Sequence, residues 1–449
     1  MSANAERELA LGALTRVEGQ GTLRLRLRGR QIVGSELSIY EPPRFFEAFL
    51  RGRAYTDPPD ITSRVCGICP VAYQMSACRA LEDACGVTVE GPLAALRRLL
   101  YCGEWIESQT LHIYLLHAPD FLGCTDVTEL SRRSTADVER GLRLKQAGNA
   151  IVEQLGGRSI HPINVRLGGF HRVPAPTELR PLAESLRRAR DDAEATVRWV
   201  AGFDFPEATS AHDLLALAEP GTYAIESGTP TVIPAPDDED RRPPHSFPLS
   251  TFCEHVSEHQ VPYSTALQAR LDGRRHLTGS LARFGVSGRW LPAEIRSLAR
   301  ESGLGDPGEG AVCRNPFRSI IVRALEVLYA VQEALRIIDE YEEPPVPHLD
   351  VPHRAATGHG ATEAPRGLLY HRYVLDAAGT VTDAVLVPPT SQNQGAIEED
   401  VRRVLQESLA EGEPTDEELA ELSERAIRNH DPCISCATHF LRLSVRQEG

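Results

Sequence analysis

Two Cys-x-x-Cys clips stand at opposite ends of the chain: Cys66-Gly67-Ile68-Cys69 near the start and Cys433-Ile434-Ser435-Cys436 near the finish. A two-residue spacer puts both sulfurs of a clip within chelating reach of one soft metal, so each clip supplies half of a four-sulfur ligand set. In sequence, 364 positions separate Cys69 from Cys433. For the two halves to serve one site, the chain has to bring its end back to its beginning. The site then lies at the centre of the fold rather than in a small appended knuckle.

The bulk numbers narrow the class. At 449 residues and 41% hydrophobic, the chain can bury a sizeable core in one large domain or in two or three intertwined ones. A formal charge of −15 argues against nucleic acid as a partner. No run of about 18 apolar residues occurs, so no membrane span is expected. The segment Met1 to Arg7 lacks the basic and apolar regions of a secretory leader. Ten cysteines in such a chain point to a reducing compartment, the cytoplasm. The six outside the clips (Cys78, Cys85, Cys102, Cys124, Cys253, Cys313) read as small buried apolar residues.

Periodicity gives a coarse fold. Residues 21–40 alternate and read as two strands around Arg28-Gly29-Arg30. Apolar residues at helical spacing predict long helices over 92–118, Ser134 to Leu155, Thr177 to Phe203 and Ser319 to Tyr341. Leu368 to Leu375 and Val381 to Val387 read as a hairpin turning at Asp376-Ala377-Ala378-Gly379. Glu411 to Glu424 reads as a solvated acidic helix. The expected class is α+β, mainly helical: a central bundle of long helices, small peripheral β-hairpins, an irregular lobe and a metal site buried at the centre. One large domain over 1–449 is expected. It divides into a β region (1–60), a helical core (61–204), an irregular lobe rich in Pro, Gly and charge (205–315) and a second core section with the hairpin and the last metal motif (316–449).

On spacing alone, a structural zinc held by four thiolates is the first reading and iron–sulfur ligation the next. Thiolates suit zinc, copper(I), iron–sulfur and nickel–iron chemistry alike, so ligand type does not decide. Context does. Arg64-Val65 precedes the first clip, Asp431-Pro432 precedes the second, and Ala437-Thr438-His439 follows it. These segments resemble the large subunit of nickel–iron hydrogenases, with its Arg-x-Cys-Gly-x-Cys and Asp-Pro-Cys-x-x-Cys-x-x-His motifs. Five further segments agree in order: Arg16-Val17-Glu18-Gly19, Arg44-Phe45-Phe46-Glu47, Gly157 to Pro162, Glu363-Ala364-Pro365-Arg366-Gly367 and Pro389-Thr390-Ser391-Gln392-Asn393. Tyr73, Gln20 and Gln392 depart from the commonest pattern, and the wording around the first clip looks more like the cytoplasmic, nucleotide-coupled branch.

The resemblance implies roles. Nickel would be held by Cys66, Cys69, Cys433 and Cys436, with Cys69 and Cys436 bridging to an iron that carries one carbon monoxide and two cyanides. Cys433 would be the first proton acceptor and Glu18 the relay towards solvent. Arg366 would hang over the open site, held by Asp120 and Asp431. Asp120 reads equally well as a helix-end cap. Thr390 would donate to a cyanide, helped by backbone groups near Pro365 and Arg366. Glu47, His439 and a backbone carbonyl near Gln394 would hold magnesium or a similar hard cation. His161 would sit at a partner-facing edge or be a satisfied buried histidine.

This chain has neither a further cysteine clip nor a dinucleotide fingerprint. The resemblance therefore implies an iron–sulfur small subunit as partner, with flavin and NAD(P)-binding subunits beyond it. It also implies that a dedicated protease cuts the tail Phe440 to Gly449 after His439, unless the tail is retained. A hydrogen-sensing regulatory subunit would share these residues. A respiratory-complex relative would lack the four cysteines, and a structural zinc protein would lack nickel and iron.

Overall fold

The computed structural model describes residues 6–238 and 242–438. About half of the chain is helical and the rest carries small sheets, an α+β architecture. The chain opens with an antiparallel meander of β1 (Glu6–Ala10), β2 (Gly21–Arg28) and β3 (Gln31–Ile39). Along β2, Leu23, Leu25 and Leu27 are buried while Arg24, Arg26 and Arg28 face solvent, the period of a half-buried strand.

Five long helices follow: α1 (Pro70–Cys85), α2 (Gly91–Leu111), α3 (Thr135–Gly156), α4 (Pro176–Ala201) and α5 (Ser319–Asp339). α2 packs on α3 and α5, and α5 packs on α4. α5 is buried almost all round from Ser319 to Val331, whereas α4 keeps a polar outer face. The helix expected over 92–118 does not run straight through. The α-helix ends at Leu111, a π-helical turn covers His112–His117, and a short helix Ala118–Leu122 follows.

The expected hairpin is present and has a third strand: β4 (Ala356–Ala364), β5 (Gly367–Leu375) and β6 (Val381–Val387), paired in that order. α1 lies directly on β4. A Cβ on Gly358 would stand 2.0 Å from the Ala80 carbonyl oxygen, and one on Gly360 would stand 2.5 Å from Ala80 N. Only glycine permits this approach. Two helices complete the frame, α6 (Pro389–Glu411) and α7 (Asp416–Arg428).

Three further expectations need correction. Residues 205–315 are not irregular. They carry a four-stranded sheet built on Asp213–Ala218, a hairpin of Val256–Gln260 with Leu267–Leu271, and the helices Ser280–Ser287 and Ala293–Glu301. Strands of two to six residues are too short to register as periodicity. Nor is α7 solvated all round: Leu419, Ala426 and Ile427 pack with Ile397, Val401 and Leu405 of α6 against the leucines of β2. Of the six cysteines outside the clips, Cys253 is exposed, because Phe252 beside it takes the core position.

Candidate metal centre

Cys66 and Cys69 close the loop that enters α1. Cys69 is the N-cap and Pro70 fills the first helical position, where a missing N–H costs nothing. The free N–H groups of that first turn are met by buried Glu104 of α2, which accepts from Val71 N at 2.6 Å and Ala72 N at 3.1 Å. Two neighbouring helices thereby fix where both sulfurs point.

Cys433 and Cys436 flank and occupy a helix of only four residues, Ile434–Ala437. Distant segments hold it. Cys433 N donates to Thr390 Oγ1 at 3.1 Å. Ile434 N donates to the Glu18 carbonyl and Ser435 N to Glu18 Oε2, both at 3.0 Å. The Arg44 guanidinium donates to the Ser435 carbonyl, and Arg44 N to that of Thr438. Beside Glu18, Gly19 has φ +89°, and a Cβ there would lie 2.6 Å from Ile434 Cβ, so a side chain would push the Glu18 loop off the clip.

The π-helical turn serves the same end. His112 Nε2 lies 2.9 Å from the Arg428 carbonyl and His117 Nε2 2.9 Å from Asn429 Oδ1. Positions five apart share a face on a π turn but not on an α-helix. Burial holds both imidazoles well below the usual histidine range, so they are neutral.

These supports bring the two clips together. The sulfurs of Cys66, Cys69, Cys433 and Cys436 all lie within 4.8 Å of one another, every one buried. Cys66 and Cys433 are 3.4 Å apart, Cys69 and Cys436 3.5 Å. The thiol of Cys433 also donates to Glu18 Oε2 at 3.1 Å. Without a cation the four cannot all ionise: hydrogen bonds from Cys433 and its neighbours pull Cys66 down, while burial pushes Cys433 and Cys436 up. A soft divalent metal would remove that conflict.

Above this cluster lies Arg366, buried, donating to Asp431 Oδ1 at 3.0 Å and Ser108 Oγ at 3.1 Å. Burial opposes its charge, but Asp431 and then Cys433, Cys69 and Cys66 outweigh it and keep the guanidinium charged. Its Nε and Asp431 Oδ2 have no hydrogen-bond partner among the described residues. Asp431 adopts φ +50°, a conformation that aspartate tolerates better than most residues.

Asp120 does not hold Arg366. It takes both arms of Arg428 (2.8 and 2.9 Å) and pairs with Arg16. These cations outweigh burial and hold its carboxyl below the usual range. The cause is the π-helical turn, which redirects the chain just before Ala118.

The strap carrying Arg366 is braced from below. Arg283 donates to the carbonyls of Ala364 and Pro365 at 3.0 and 2.9 Å, grips Glu326 with two bonds and reaches Glu363 at 3.2 Å. All three charged side chains are buried. Arg283 also lies 4.6 Å over the Trp105 ring. Sequence reasoning missed Arg283, Glu326, His112, His117 and Glu104. The available signal was a lone charge in an apolar run, as in Leu325-Glu326-Val327 or Ala282-Arg283-Phe284, since such charges are buried only when paired.

Glu47 sits on the short helix Phe46–Leu50 and accepts from Leu386 N at 2.8 Å. Gln394, buried on α6, donates to the Leu37 carbonyl at 3.0 Å. His439 and the tail fall outside the described residues. His161 Nδ1 lies 2.7 Å from the Ser63 carbonyl, and Ile160 and Ile163 beside it are exposed.

A model of the nickel-dependent hydrogenases matches residues 44–185 and 317–439, which include both clips and Arg366. The chain belongs to the nickel-dependent hydrogenase family. It is 31% identical to sulfhydrogenase 1 subunit alpha of Pyrococcus furiosus, over 97% of this chain and 98% of that one. It is 28% identical to the NAD-reducing hydrogenase HoxS subunit beta of Cupriavidus necator, over 97% and 95%. The crystal structure of an NAD+-reducing [NiFe]-hydrogenase in its H2-reduced state superposes with a TM-score of 0.85 at 26% identity, covering 97% of this chain and all of that one. As a nickel-dependent hydrogenase the chain is an oxidoreductase acting on hydrogen, and its four clustered sulfurs suit a nickel–iron centre. No helix among the described residues is long and apolar enough to cross a membrane.

Proposed function

We propose that this chain is the catalytic large subunit of a cytoplasmic nickel–iron hydrogenase that interconverts hydrogen with protons and electrons. The electrons would pass to an iron–sulfur small subunit and on through flavin and NAD(P)-binding subunits. One observation carries the reading: the Cys433 sulfur, within a four-sulfur cluster, is hydrogen-bonded to Glu18. When bound, a nickel–iron centre supplies the soft Lewis acid that polarises hydrogen and takes up its electron pair.

The chain's residues do the rest. Cys66, Cys69, Cys433 and Cys436 would hold the centre, Cys66 and Cys433 through nickel alone and Cys69 and Cys436 shared with an iron that would carry carbon monoxide and two cyanides. A proton on Cys433 Sγ passes along the 3.1 Å contact to Glu18 Oε2. Arg366, fixed by Asp431 and Ser108, would place a charge beside the bound centre without any reorganisation. Asp120 acts through Arg428, whose carbonyl His112 also reaches, and so positions the Cys433 loop. Thr390 accepts from Cys433 N, and its own hydrogen would serve a cyanide on the bound iron.

Glu47, Gln394 and His439 are proposed ligands of a magnesium ion. Oxygen donors suit a hard cation, which tolerates one imidazole. The edge around His161, with exposed Ile160 and Ile163, faces the small subunit. The whole chain forms one large-subunit domain, with sections 1–60, 61–204, 205–315 and 316–449. The names of an NAD-reducing hydrogenase among its relatives and of the NAD+-reducing enzyme it superposes on favour the nucleotide-coupled assignment.

Infrared spectroscopy of the purified complex tests this. One carbonyl and two cyanide bands that shift under hydrogen are expected. A metal-replete protein with none of these bands, and zinc in place of nickel, would overturn the reading.

A further inference from the structure

A cavity of about 10 Å³ lies against Arg366 and is lined further by Thr278, Ser319, Arg323, Asn429 and His430. It is half polar, with Leu277 and Leu281 also in its wall, and is just large enough for one water. From it a line of titratable groups leads outwards. His430 Nε2 stands 3.2 Å from Asp400 Oδ2, and Asp400 Oδ1 is bonded to His212 Nε2 at 3.0 Å. All three residues are buried. His212 in turn borders a surface depression of about 520 Å³, with Asp213, Arg274, Arg275 and Glu399 at its mouth. Three separate segments supply the trio: the loop before Cys433, α6, and the residue just before the strand Asp213–Ala218.

We propose that His430, Asp400 and His212 form a second proton route between the Arg366 side of the centre and solvent, separate from Glu18. The inference rests on the hydrogenase reading. A proton on the cavity water is taken up by one ring nitrogen of His430. His430 Nε2 releases its own proton to Asp400, and His212 carries it from Asp400 to the depression. Arg323 and Arg366 also line the cavity. His212 and His430 outweigh burial and hold the Asp400 carboxyl below the usual range, so a proton reaching it is passed on rather than kept. His430 Nε2 and Asp400 Oδ2 are close but out of line for a full hydrogen bond, and a turn of the imidazole closes that gap. A buried trio of this kind costs desolvation that an apolar trio of the same shape would avoid.

The test starts from Glu18→Gln enzyme, in which the first route is cut. Its residual hydrogen oxidation is expected to fall at least about tenfold further when His212→Asn or Asp400→Asn is added. External imidazole, which fits the depression, is expected to restore the rate in the His212 variant. A second readout is independent of turnover. On adding hydrogen, enzyme carrying isotope-labelled histidine is expected to show imidazole ring-mode changes in its infrared difference spectrum, and Asp400→Asn removes them. Complete loss of turnover in Glu18→Gln alone, or a residual rate that both added substitutions leave unchanged, would overturn the proposal. The carbonyl and cyanide bands separate the two failures: wild-type enzyme without them sinks the hydrogenase reading, whereas intact bands with an unaffected rate sink the route alone. If His212→Asn lowers metal content, Asp400→Asn carries the comparison.

Discussion

The two sulfur clips are alike in sequence and opposite in how they are held. Cys66 and Cys69 lead into a 16-residue helix whose start is fixed by a proline and by Glu104 of the neighbouring helix. Cys433 and Cys436 sit on a four-residue helix, too short to persist by itself. Glu18, Arg44 and Thr390 reach it from far along the chain, and His112 and His117 tether the loop just before it. The first half of the site is thus largely a local property of the chain, and the second a property of the folded whole. The centre should therefore be loosened from its C-terminal side first.

The largest expected effect of a single substitution falls on what both halves share. Arg283→Met leaves Glu326 and Glu363 buried without their cation and frees the strap that carries Arg366. Breaking such a pair costs about 3–5 kcal/mol, to be read from denaturant unfolding of the variant. An unchanged midpoint would show that the strap holds itself.

Next comes acid. His112 and His117, which tether the second clip, are held neutral by burial, and burial pushes His276 down to about 4. Below about pH 6.5 the unfolded chain binds protons that these folded histidines refuse. Stability is thus complete above that pH and declines as pH falls towards 4, by up to about 1.4 kcal/mol per unit for each fully responding group. Urea midpoints measured across this window test the sign. A flat profile would contradict the neutral assignment.

The smallest effects discriminate most finely between the clips. Arg44→Ala removes a charged donor from the Ser435 carbonyl, about 1.5–3 kcal/mol confined to the second clip. Nickel content is expected to drop while the thermal midpoint of the whole chain barely moves. Glu104→Gln weakens the start of α1 by about 1 kcal/mol. The midpoint is expected to fall slightly with nickel retained. The reverse pattern would invert the comparison.

The same contrast governs what could be read from the sequence. The clips, Glu18 and Arg366 are legible because each stands in a short motif of fixed spacing that resembles the family's, and the structure brings all of them to one place. The long helices were legible because their apolar period runs for many turns. Asp120 was assigned the wrong arginine. Its partner depends on the π-helical turn before it, and no residue between His112 and His117 announces an extra residue in the turn. The short strands between 205 and 315 were hidden by their length. The Arg283–Glu326–Glu363 brace joins residues from three distant segments, which only packing brings together.

The most direct test of the central claim, that both clips hold one nickel, is X-ray absorption at the nickel edge of the purified complex. The account expects four sulfur neighbours and one iron, with Cys433→Ala and Cys66→Ala each abolishing that shell. A nickel site dominated by nitrogen and oxygen, or one that survives loss of either cysteine, would contradict it.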